Sequence, residues 1–208
     1  MDSAGLRIGC CGLPLSLSRY VRIFRVVEVQ RTFYQPPLAR TLEKWLAQVP
    51  SEFEFTLKAW QLITHEATSP TYRRLREKLS DREKHEVGAF RRSAPVLRAW
   101  ERTLECARIL GSRVILLQCP ARFGPTQENK GNLRSFLRKI RCDTRSRSQV
   151  EPLDLVWEPR GEWKAEGVKE LCEELNLVHG VDPFLQAPVA AGAGCFRLHG
   201  RGGCRSSV

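Results

Sequence analysis

The chain predicts an α/β fold, a (β/α) barrel of the TIM type with seven βα units visible and the eighth apparently missing. Two observations carry this reading. Apolar, strand-like runs alternate with helical stretches along the 208 residues, which implies parallel strand pairing with right-handed crossovers. Six of the runs also end in charged or amide residues on one side-chain parity. Successive strand side chains point to opposite faces, and a buried charge is costly unless it is paired or used. Six polar strand ends therefore argue for a shared site at the carboxyl-terminal mouth of the sheet.

The elements follow in order. Leu6 to Gly12 reads as a first strand, and Val26 to Phe33 as a second, with Glu28, Gln30 and Thr32 opposite Val27 and Val29. Pro36-Pro37 breaks the chain before a helix from Leu38 to Val49, whose apolar residues recur at helical spacing. Phe53 to Ala59 is the third strand, with Thr56 and Lys58 opposite Phe55 and Leu57. The excursion from Thr64 to Arg92 is too charged for core and reads as a long binding loop or lid. Ala94 to Leu110 is helical, with Pro95 in its first turn and Gly111 at its end. Arg113 to Gln118 is the fourth strand, Asn129 to Ile140 a helix, and Cys142 to Gln149 a basic loop. Asp154 to Glu158, Leu177 to Val181 and Gly194 to His199 complete the strands, with a helix from Lys164 to Leu175. Residues 1–201 then form one barrel domain, and 202–208 a disordered tail.

A hydrophobic content of 42% and a charged content of 27% are those of a globular protein. No stretch approaches the roughly 20 apolar residues of a membrane span, and Met1 to Gly12 lacks the pattern of a secretory signal. A cytoplasmic protein with no membrane partner is the expectation. The net charge of +11 favours phosphates, nucleic acid or acidic surfaces. Part of it lies at Arg134, Arg138, Lys139, Arg141, Arg145 and Arg147, which read first as a solvated face because no aromatic residues interleave with them. Eight cysteines contain no C-x-x-C pair, so a structural zinc site is not expected.

At the polar strand ends the sequence resembles the domain-of-unknown-function-72 family, also called YecE-like. Glu28-Val29-Gln30-Arg31-Thr32-Phe33-Tyr34 looks like that family's E-(V/I)-(N/Q)-x-T-F-Y signature. Lys58 with His65, Leu117-Gln118-Cys119-Pro120 with Phe123, and Trp157-Glu158-Pro159-Arg160 with Trp163 follow in the family's order. So do Val181-Asp182-Pro183 and Phe196-Arg197-Leu198-His199-Gly200-Arg201. The resemblance implies a TIM-type barrel and no established activity. It also implies that a final strand is replaced here by a Gly/Arg/Ser tail, as a truncation or frameshift would do.

Glu28, Lys58, Glu158 and His199 are the candidate catalytic residues, as acids, bases or nucleophiles at strand ends. Tyr34, His65, Gln118, Arg160, Asp182 and Arg197 are candidate substrate-binding residues. Glu28, Glu158, Asp182, His65 and His199 would suit a divalent metal, but Lys58, Arg160 and Arg197 crowd the same mouth and would repel one. The cations favour an enzyme acting on a small phosphate- or carboxylate-bearing compound. A nucleic-acid binding or processing barrel, like the endonuclease-IV type at fold level only, and an inactive remnant stay open as alternatives.

Overall fold

The structure, a computed structural model, describes residues 6–146, 153–189 and 194–198, and for 143–146 the backbone alone. The predicted tail at 202–208, His199 and Arg147 lie outside the described residues, as does the side chain of Arg145.

Among the described residues seven strands form a single all-parallel sheet in sequential order: β1 Gly9–Cys11, β2 Val26–Val29, β3 Glu54–Lys58, β4 Val114–Gln118, β5 Asp154–Glu158, β6 Val178–Val181 and β7 Cys195–Phe196. Short helices α1 Leu17–Tyr20, α2 Arg31–Tyr34, α3 Ala39–Leu46, α4 Gln61–Thr64 and α5 Asp81–Glu86 alternate with the strands or extend the loops. Three longer helices, α6 Ala94–Leu110, α7 Gln127–Ser146 and α8 Ala165–Glu174, cover the sheet's outer face.

Side-chain parity divides the sheet as the sequence predicts. Val27, Val29, Phe55, Leu57, Ile115, Leu117, Leu155 and Trp157 face outward into one apolar core. Trp100 and Leu104 of α6, Leu133, Phe136 and Leu137 of α7, and Val168 and Leu171 of α8 fill that core from the other side. The opposite parity turns inward. The register aligns Glu28 with Thr56, Lys58 with Leu116, and Gln118 with Glu158. The sheet curls so strongly that Arg197, just after β7, hydrogen-bonds Glu28 on β2 and the Cys11 sulfur on β1. No strand pairing joins β1 to β7 among the described residues, so the curl is open.

Gly180 on β6 shows how tight the inner face is. A Cβ at this position would lie 2.8 Å from Val156 Cγ1 and 3.2 Å from Glu158 Cβ. Gly180→Ala is expected to destabilise by about 1–3 kcal/mol through overpacking, read as a lower urea midpoint. An unchanged midpoint would mean that β5 and β6 are less closely packed than this.

Four sequence expectations are corrected. The second strand ends at Val29, because the backbone turns helical and Thr32 Oγ1 donates to the Val29 and Lys58 carbonyls instead of lying on a strand face. The first strand is only Gly9–Cys11, with Leu6 and Ile8 exposed. The helix placed at Asn129–Ile140 continues to Ser146, into the first part of the segment read as a basic loop.

The excursion is the fourth correction. It is not simply a polar lid. Val87, Ala89 and Phe90 are buried, and the amides of Gly88, Ala89 and Phe90 bond the carbonyls of Leu62, Thr64 and Ile63. Gly88 has φ +82, and a Cβ there would strike the His65 carbonyl at 2.5 Å, so only glycine allows this return. Many of its charged residues lie in the 3₁₀ turn Pro70–Arg74 and in α5, which opens with a Ser80–Glu83 capping box.

Candidate functional site at the carboxyl ends of the strands

Six of the predicted site residues form one hydrogen-bonded chain across the curl. Lys58 Nζ donates to Gln118 Oε1 at 2.6 Å, and Gln118 Nε2 donates to both Glu158 oxygens at 3.0 and 2.9 Å. Arg160 Nε donates to Glu158 at 2.9 Å. Arg197 lies between the two carboxylates, bonding Glu158 through NH1 and Glu28 through Nε and NH2 at 3.0 and 2.8 Å. Gln30 donates to the remaining side of Glu28. The side chains of Arg197 and Glu158 are 5% and 6% exposed, so the centre of the network is desolvated, while Arg160 at its edge is 41% exposed.

Environment sets the protonation states. Burial alone would raise the Glu158 carboxyl, but Arg197, Arg160 and the Gln118 amide hold it below its ordinary value. Burial, with Arg197 nearby, lowers the Lys58 ammonium to about 8 despite the opposing pull of Glu28 and Glu158. Lys58 Nζ also lies 3.8 Å over the Phe33 ring, a cation–π contact. Arg197 stays firmly protonated, because the fields of Glu28 and Glu158 outweigh its burial.

His65 sits beside this chain rather than in it. Its ring meets Phe33 edge-on at 4.9 Å, Nδ1 is 2.8 Å from Thr64 Oγ1, and its carbonyl accepts from Tyr72. Burial first, then the cations Lys58, Arg160 and Arg122, depress its pKa from 6.5 to about 3. A histidine held neutral in the fold while the unfolded chain takes up a proton loses stability as pH falls below 6.5. At pH 5 this amounts to about 2 kcal/mol. His65→Gln is expected to remove that part of the acid destabilisation, so its stability–pH curve should fall less between pH 6.5 and 4 than that of the unsubstituted chain. Parallel curves would refute the assignment.

The remaining predicted residues divide. Tyr34 is at the rim, its ring against Phe33 at 5.0 Å and beneath the Arg74 guanidinium at 3.7 Å. Asp182 directly follows β6 and is buried, and its Oδ1 accepts from the Phe184 amide, capping the turn at Pro183. His199 lies outside the described residues. Contacts to the site that the candidate residues left out come from Phe33, Cys11 and Gln30, with Arg122 nearby, half-exposed and bonded to Thr68 and paired with Glu66. Phe33 and Gln30 stood in the same motif as Glu28, and Arg122 in the segment after Gln118, but nothing in their spacing told which atoms they would meet. Among the described residues no three His, Cys, Asp or Glu side chains are placed to hold a metal ion.

With this geometry in hand, the relationship to known proteins is informative. The family described as "Protein of unknown function DUF72" matches residues 12–206. The chain belongs to the DUF72 family. The UPF0759 protein YunF of Bacillus subtilis (strain 168) is 26% identical over 191 residues, covering 89% of this chain and 62% of YunF. The DUF72 chain thus spans less than two thirds of that relative's length. A DUF72 family protein from Enterococcus faecalis V583, solved at 2.52 Å resolution, superposes with a TM-score of 0.59 at 19% identity. The match covers 89% of this chain and 70% of that one. A second structure of that protein, at 3.10 Å, gives the same TM-score with 64% of its chain covered. These structures share the curled parallel α/β architecture of the DUF72 fold, and the inner polar chain lies within the matched residues.

A second basic feature lies away from the mouth. Arg92, Arg134, Ser135, Arg138, Lys139 and Cys142 line a shallow groove of about 510 Å³ along α7. Two of its cations are tied down, since Arg134 pairs with Glu170 and Glu174, and Arg138 with Glu174. Among the described residues no helix is long and apolar enough to cross a membrane.

Proposed function

We propose that the mouth of the curl binds a small phosphate- or carboxylate-bearing compound and acts on it as an enzyme. One observation carries the reading: the Lys58 ammonium and the Arg160 and Arg197 guanidiniums converge on one hydrogen-bonded chain at the carboxyl ends of the strands. Lys58 and Arg197 are buried and Arg160 is 41% exposed at the edge, and cations held in a preorganised, partly desolvated site favour an anion there more than they would in water. The carboxylates already present are committed, Glu28 to Arg197 and Glu158 to Arg197 and Arg160. The partner seen for Lys58 is instead a neutral amide. On this reading the open sheet corresponds to seven of the eight strands of a TIM-type barrel, whose active sites lie at this end. The buried thiols Cys106, Cys119 and Cys172 support a reducing, cytoplasmic setting.

A ligand that binds only the folded chain raises its melting temperature. Inorganic phosphate or small dicarboxylates at millimolar concentration are expected to raise the midpoint, and Lys58→Met or Arg160→Gln to abolish the rise. A rise that survives both substitutions but disappears in Arg138→Gln would place the anion in the α7 groove and defeat this reading. That groove is the basis of the second reading, a nucleic-acid-binding barrel. Oligonucleotide binding with steep salt dependence, lost in Arg138→Gln, would support it.

A further inference from the structure

We propose that Lys58 is a covalent catalyst whose side-chain amine condenses with the carbonyl carbon of an anionic aldehyde, ketone or 2-oxo acid to form an imine. The inference rests on the mouth being an anion site and narrows its substrate to anions that carry a carbonyl group.

The placement of Lys58 sets it apart from the other cations of the mouth. Arg160 and Arg197 are each bonded to Glu158, and Arg197 also to Glu28. Lys58 ends β3, is 6% exposed, and meets an amide oxygen and an aromatic face. An amide oxygen and a ring do not hold an amine permanently as ammonium in the way a bonded carboxylate does. The charged and titratable groups acting on it are Arg197, Glu28, Glu158 and Arg160, with His65 beside them. Their balance with burial leaves the amine titrating near 8. At pH 7 roughly one molecule in ten then carries a neutral amine, against about one in three thousand for a solvated lysine. Desolvation next to other cations is the environment that makes a lysine nucleophilic.

The steps balance without any redox partner. The amine lone pair attacks the carbonyl carbon, and the C=O π pair moves to oxygen, which takes a proton to give a carbinolamine. Loss of that oxygen as water leaves a protonated imine, so one ammonium and one carbonyl compound become one iminium and one water. The iminium withdraws electrons from the adjacent carbon and supports proton removal or C–C bond cleavage there. Gln118 is a positioning residue, its Oε1 fixing the amine while Glu158 fixes its Nε2. The carboxylate or phosphate of the substrate would be drawn toward Arg160, which bonds the same Glu158 carboxylate as the Gln118 amide that holds Lys58.

The test is reductive trapping on the full chain at pH 7. Pyruvate, dihydroxyacetone phosphate and, as the uncharged control, dihydroxyacetone are each incubated with sodium cyanoborohydride, and the modified lysines are located by peptide mass mapping. The expected result is an adduct on Lys58 formed at least tenfold faster than on any other lysine. Both anionic probes should outpace dihydroxyacetone, inorganic phosphate should slow the labelling, and Gln118→Leu should slow it while leaving the melt cooperative. Mapping reads Lys58 in the unsubstituted chain, so the outcome does not depend on a variant folding. Adducts spread over surface lysines with Lys58 unmodified would overturn the imine proposal, and a phosphate-induced rise in melting temperature would leave the anion reading standing. Equal labelling of Lys58 by dihydroxyacetone and its phosphate, with no such rise, would keep the amine chemistry and remove the anion reading.

Discussion

Arg197→Met is expected to destabilise the protein by about 3–5 kcal/mol, because it leaves two carboxylates buried without their shared counter-ion. Glu28 and Glu158 come from β2 and β5, and the guanidinium between them is 5% exposed. Breaking one partner of a desolvated ion network costs more than the network itself contributes, since the remaining charges stay out of water. For a chain of this size the melting temperature should fall on the order of 10 °C. Combining Arg197→Met with Glu28→Gln should recover part of the loss, because Glu158 keeps its pair with Arg160 whereas Glu28 loses the guanidinium it was paired with. A single-variant loss below about 1 kcal/mol would show that water reaches the carboxylates.

Phe90→Ala should cost a comparable amount, about 3–5 kcal/mol. Phe90 is fully buried, its ring 5.3 Å from Phe123 and 5.6 Å from Phe136, and its amide bonds the Ile63 carbonyl. It holds φ at +54, next to Ala89 at +48, a region costly for an aromatic residue. That strain persists because burial of the ring offsets it. Equilibrium denaturation settles the matter: a midpoint within error of the unsubstituted chain would make the excursion a detachable loop after all.

These two residues also mark where the sequence was legible and where it was not. Strand parity at period two placed Glu28, Lys58, Gln118, Glu158 and Arg197 on one face, and all five meet there. Parity is a local property, and a polar residue in a β-branched run announces itself. Phe90 gave no such signal, because its neighbours Glu86, Arg91 and Arg92 are polar and its burial depends on a glycine turn closing onto His65. Asp182 shows the opposite limit, for a carboxylate at a strand end satisfies the site pattern and the turn-capping pattern equally, and here its oxygen caps the turn. The partners of His65 come from three elements after the chain has curled, and no spacing in the sequence encodes that.

The reach of Arg197 has a consequence for synthesis. It bonds Glu28 across 169 residues of chain, whereas every strand pairs with its immediate predecessor. During emergence from the ribosome the early strands can zip in order, but their two carboxylates must wait for an arginine that follows β7. Until it arrives they hold water at the inner face, and the mouth cannot dry. The segment that carries Arg197 therefore decides when the site matures, and a nascent chain halted before residue 197 would carry a folded outer core around a wet, unassembled centre.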